Sequence, residues 1–154
     1  MPNRSVVFYC IESEFWATAY RLVEKLYSAG ERLLFLCDND DEVSSYSSRL
    51  WTYSKLAFIP SGSRRIISAS DAEFCYVWFS TTMEFYNTPT CLLHNGLDMT
   101  KFNTIERFCK IMDVFNVDLM AAARTRSEFY KKNGFRNQKL WIQVGQSWKS
   151  ENIT

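Results

Sequence analysis

The stretch from Val6 to Cys37, VVFYCIESEFWATAYRLVEKLYSAGERLLFLC, decides the fold. Val6 to Ile11 is a nearly continuous apolar run, the pattern of a strand buried on both faces. Ser13 is placed to cap a helix on which Trp16, Tyr20, Val23 and Tyr27 recur on one face, and Ala29-Gly30 supplies its stop. Leu33 to Cys37 is a second apolar strand. Asp38 to Glu42 then opens another helix, with its acids at the positive N-terminal end. Strand, helix, strand, helix in that order means a parallel pair joined by a right-handed crossover, and predicts a three-layer α/β domain.

Beyond this opening the pattern is less regular. The second helix is read as ending at Trp51, and Ala57-Phe58-Ile59-Pro60 as a short extended piece closed by proline. Ser61 to Ser70 has the composition of a surface loop. Phe74 to Phe79 and Thr90 to Leu93 are further strands, Lys101 to Ile105 a short helix, and Phe108 to Val114 a strand before a helix started by Asn116 or Asp118. Gln138 to Val144 forms a last strand or an extended tail. Residues 1–154 constitute one domain, with a frayed end over 143–154, most of all from Ser147.

Composition narrows the class. With 47% hydrophobic and 16% aromatic residues the chain is a globular protein with one substantial core. The net charge of +1 conceals a polarity: residues 1–100 carry eight Lys/Arg against twelve Asp/Glu, and residues 101–154 carry ten against five. An acidic partner for the C-terminal part fits that distribution, as does a solvated helix balanced elsewhere. Cys10, Cys37, Cys75, Cys91 and Cys109 are odd in number, mostly within apolar runs, and lack a C-x-x-C. They are expected to be reduced thiols of a cytoplasmic protein. The longest apolar run, six residues, is too short for a membrane span.

The chemistry of common α/β sites is missing. A dinucleotide needs glycines and free amides after the first strand, but that turn is Ile11-Glu12-Ser13-Glu14, whose carboxylates repel phosphate. No G-x-x-x-x-G-K is present. The acidic run from Asp38 has Val43 and Arg49 where a calcium loop needs glycine and glutamate. His94, the one histidine, has no companions for zinc. It is read as a hydrogen-bonded structural residue, against a nucleophilic pair with Cys37 or Cys75. No catalytic residue, cofactor or metal is expected, and the chain is not read as an enzyme.

The strongest binding signal is Ala121 to Phe135, a helix ending in Lys131-Lys132 and stopping at Gly134. Arg124, Arg126, Lys131 and Lys132 face a single acid, Glu128, with Arg124, Glu128 and Lys131 on one stripe and Phe129 and Tyr130 as aromatic surface beside it. Cations beside apolar area suit an acidic peptide. They also suit single-stranded nucleic acid, with Tyr130 or Trp141 stacking on bases.

Over about Val6 to Trp141 the chain resembles the chi subunit family of bacterial DNA polymerase III. The resemblance is carried by the Phe8-Tyr9 strand, the turn Ser28-Ala29-Gly30-Glu31-Arg32-Leu33, and Leu50-Trp51 followed at the family's spacing by Phe58-Ile59-Pro60. It is completed by Ala123-Arg124-Thr125-Arg126 with Tyr130 and Gly134-Phe135. The resemblance implies a Rossmann-like α/β/α fold without catalysis, in a replisome adaptor. Its partners would be the acidic C-terminal tail of single-stranded DNA-binding protein and, commonly, the psi subunit, which leads to the clamp loader.

Arg124 matches the family's tail-contacting arginine and is assigned the tail's terminal carboxylate, with Arg126, Lys131 and Lys132 steering its aspartates. Trp51 and Phe58 match the family's aromatic pair for psi or a helicase, unless both are core. The sequence departs from the pattern at Ser127 and Glu128, where tyrosine and lysine are usual, at Met120 for a lysine, and at Ser61 for a histidine. Glu128 is within reach of Arg124, an exposed pair worth about 0.3–0.5 kcal/mol.

Overall fold

The computed structural model describes residues 3–53 and 58–153. Its first half contains β1 (Ser5–Ile11), α1 (Phe15–Ser28), β2 (Leu33–Leu36), α2 (Asp40–Tyr53), β3 (Ser61–Ser63) and β4 (Val77–Ser80). The second half adds β5 (Cys91–Asn95), β6 (Lys110–Asn116), α3 (Met120–Lys132), β7 (Asn137–Val144) and β8 (Ser147–Glu151). The strands form one sheet in the order β3-β4-β2-β5-β6-β1-β7-β8, parallel throughout except for the β7–β8 pair. The expected α/β architecture is therefore present, with a mostly parallel sheet between helical layers.

Two apolar clusters cover the two sheet faces. On one, Trp16 of α1 stacks on Tyr46 of α2 at 5.7 Å and on Phe35 of β2 at 6.2 Å, with Val23, Val43 and Leu50 filling around them. On the other, Ala123 and Tyr130 of α3 join Phe8, Phe115, Phe135 and Leu140. All four residues of β2 are buried, as its unbroken apolar run implies, whereas in β1 buried Val6, Phe8 and Cys10 alternate with the partly exposed Val7 and Tyr9.

Several local expectations are corrected. Glu14, not Ser13, caps α1, its carboxylate accepting from the Trp16 amide at 3.2 Å. Ser13 is taken by Gln143 of β7, whose Oε1 accepts from the Glu12 amide, the Ser13 amide and the Ser13 hydroxyl. The amides that would face a phosphate after β1 are thus already bonded. The α2 helix continues past Trp51 to Tyr53. Ser61–Ser63 is a buried edge strand rather than the start of a loop, since the backbone pairs with β4 at residues too small to betray a strand. The short helix expected over Lys101 to Ile105 is two 3-10 turns, Met99–Lys101 and Ile105–Arg107. Ala57 lies outside the described residues.

The C-terminal end is the largest departure. Residues 147–151 pair along β7 as β8 instead of fraying, joined to it through Gly145 in the left-handed region at φ 61°. Ile153 is buried on the α3 side of the sheet.

Candidate functional site

The α3 helix starts and stops for local reasons. Asn116 Oδ1 accepts from the Asp118 amide at 3.1 Å, opening a 3-10 turn (Val117–Leu119) that leads into the helix. At the other end Asn133 Nδ2 donates to the Phe129 carbonyl at 2.8 Å, and Gly134 takes φ 94°, a conformation glycine adopts without strain. Its buried face is Ala123, Arg126, Ser127 and Tyr130, the i, i+3, i+4, i+7 spacing of one helical stripe.

This placement corrects the reading of Arg126. Its side chain is buried, with Nε and Nη2 donating to the two carboxylate oxygens of Asp113 on β6 at 2.7 and 2.9 Å. The guanidinium is used up inside the protein and is not a surface cation available for steering. Asp113 is the residue that sequence reasoning missed. Its signal was an acid within the apolar run Ile111-Met112-Asp113-Val114-Phe115, a position that requires a charged partner. Gly96, at φ 53°, lets the loop after β5 pass against Phe115 and Arg126.

His94 and Tyr130 complete the buried network. His94 Nδ1 accepts from the Leu97 amide at 3.1 Å, so its Nε2 carries the proton and donates to the Tyr130 hydroxyl at 2.8 Å. Tyr130 in turn donates to Asp113 Oδ2 at 2.8 Å. Burial lowers the His94 pKa to about 4, with the Arg126 charge adding to this and Asp113 opposing it. The imidazole is therefore neutral at pH 7, and its contact with Asp113 is not an ion pair. Tyr130 is pushed well above the usual phenol range, chiefly by burial. The network is sealed and fixes α3 to the sheet. His94 meets neither Cys37 nor Cys75 in a hydrogen bond, and burial pushes both thiols up.

The opposite face of α3 carries the accessible charge. Arg124 is exposed; its Nε donates to the Ile153 carbonyl at 3.3 Å, and among the described residues its other nitrogens have no partner. Glu128 does not pair with Arg124 but with Lys131, at 3.3 Å. Lys132 is exposed and unpaired among the described residues. Ser127 is buried and donates to Gln138 Oε1, while Gln138 Nε2 donates to the Ser127 and Phe135 carbonyls. Tyr130 is fully buried, and of the expected aromatic pair only Phe129 reaches the surface in part. Trp141 is half-buried under Lys139, whose Nζ lies 4.4 Å from its ring centre.

A second surface lies where α2 ends. Trp51 is 55% and Phe58 64% exposed, and their rings meet edge to face at 5.3 Å. Neither side chain belongs to the core.

Over residues 4–138 the chain matches the family model described as DNA polymerase III chi subunit, HolC. No curated protein matches it.

Proposed function

From the chain's membership of the DNA polymerase III chi subunit family, an accessory, non-catalytic subunit of the holoenzyme, we propose a replisome adaptor that performs no turnover of its own. Its task is to bind the acidic C-terminal tail of single-stranded DNA-binding protein and link it to the clamp loader in the cytoplasm. The observation that carries this reading is Arg124: an exposed guanidinium whose Nη nitrogens have no partner among the described residues, beside the apolar Ile153. A peptide ending in an apolar residue and a carboxylate needs that combination, a forked donor next to a hydrophobic hole. Lys131 lies about two turns along the same stripe, with Lys132 beside it, where a run of aspartates would pass. Arg126 acts through Asp113 as a positioning residue that holds the helix in place.

The exposed pair Trp51 and Phe58 is assigned to a protein partner, the psi subunit or a helicase. Exposed tryptophan beside phenylalanine is the composition of an interface anchor. Direct binding of single-stranded nucleic acid is the weaker reading, because two of its residues, Arg126 and Tyr130, are sealed in the interior.

The deciding experiment is capture of single-stranded DNA-binding protein from the same organism, with and without its last ten residues. Loss of capture on truncation supports the adaptor. Equal capture of both forms refutes tail binding, and tight, salt-sensitive binding of bare oligonucleotides would favour the nucleic-acid reading.

A further inference from the structure

We propose that the C-terminal arm, residues 147–153, is a built-in occupant of the α3 receptor, so that an acidic tail binds by displacing Ile153 from beside Arg124. The inference rests on the tail-binding reading of α3 and specifies how that site is regulated.

The arm lies beyond the matched residues, which end at 138. It reaches α3 by a route of its own: β7 turns at Gly145, β8 runs back antiparallel, and the chain then folds so that Ile153 enters the buried cluster containing Ala123 and Leu140. There Ile153 makes the two contacts expected of an incoming peptide end. Its side chain fills an apolar hole, and its carbonyl oxygen takes the Arg124 Nε–H at 3.3 Å.

Among the described residues, the arm occupies the place without satisfying it. Its acid, Glu151, pairs with its own Lys149 at 2.8 Å rather than with Arg124 or Lys132. A neutral carbonyl at that distance is a weaker partner for a guanidinium than a carboxylate, which gains charge assistance and a second hydrogen bond. The arm is also lightly attached. An edge strand pairs with one neighbour only, most of β8 is exposed, and its apolar anchors are Trp148, edge-on to Tyr9 at 5.9 Å, and Ile153. Segments with few buried contacts open at low free energy, well below global unfolding. The tail's apparent affinity is then its intrinsic affinity reduced by the fraction of molecules with the arm open.

The test uses the full chain and a synthetic peptide of several aspartates ending in an apolar residue with a free carboxylate. Hydrogen exchange at residues 147–153 should speed up when the peptide saturates the protein, and Ile153→Ala should tighten peptide binding by about tenfold or more. Slower exchange, or weaker binding by Ile153→Ala, would mean that the arm is part of the receptor floor and overturns the proposal. Unchanged exchange with binding that still depends on Arg124 overturns displacement while sparing the tail-binding reading. No binding to either form overturns both.

Discussion

Arg124 and Arg126 leave α3 on opposite sides, one exposed and hydrogen-bonded to the Ile153 carbonyl, the other buried and clamped on both oxygens of Asp113. Two helical steps turn the chain by about 200°, so neighbouring arginines in an Ala-Arg-x-Arg motif serve different ends. One is free to meet a ligand and the other fastens the helix that presents it.

Substituting the two therefore separates binding from stability. Arg124→Ala should weaken acidic-peptide binding at least tenfold while changing unfolding free energy by no more than about 0.5 kcal/mol. Arg126→Ala leaves Asp113 buried and uncompensated, and should cost roughly 3–5 kcal/mol in urea unfolding. Equal destabilisation by both would contradict the assignment.

Removing the Tyr130 hydroxyl breaks the relay between His94 and Asp113. Tyr130→Phe leaves the His94 Nε2–H without its acceptor and should destabilise by about 1–3 kcal/mol, with peptide affinity intact wherever the protein remains folded. Thermal unfolding followed by circular dichroism, beside a peptide titration, measures both.

The same histidine makes stability depend on pH. Its folded pKa, about 4, lies below the ordinary 6.5, so the unfolded chain binds more protons between these values. The contribution is fully present above pH 6.5 and is lost as pH falls toward 4. Roughly 2 kcal/mol of the stability lost between pH 7 and 4.5 should come from His94. Urea unfolding at both pH values should show that difference shrinking in His94→Gln, and an unchanged difference would remove His94 as the source.

The aromatic pair predicts the reverse of a core substitution. Trp51→Ala and Phe58→Ala should each cost under about 1 kcal/mol of stability, because both rings are more than half exposed. If the psi subunit docks there, either change should weaken its binding by about 2 kcal/mol or more in calorimetric titration.

The sequence made the sheet legible where periodicity was strong. Val6 to Ile11 and Leu33 to Leu36 became β1 and β2 of one parallel sheet, but β5 and β6 lie between them, so they are not the directly paired strands that the sequence suggested. It was silent at Ser61–Ser63, where the strand is defined by backbone pairing and the side chains carry no pattern. Arg124, Lys131 and Lys132 stand at the surface, but Arg126 shares the spacing of Ala123, Ser127 and Tyr130 and follows them inward. Charge alone misplaced it, and the matching acid on β6 was the clue. At the C-terminus, polar composition suggested fraying, whereas a hairpin through Gly145 and a single buried isoleucine were enough to order it.

The strand order also sets how the two exposed surfaces relate. Phe58 leads into β3 at one margin of the sheet, while Ile153 follows β8 at the other. With neighbouring strands spaced at ~4.8 Å, the width between them is on the order of 30 Å. Guests at those margins would not collide, and a molecule gripping both at once would raise the local concentration of each for the other. The sheet then serves as a rigid spacer whose length is fixed by the number of its strands.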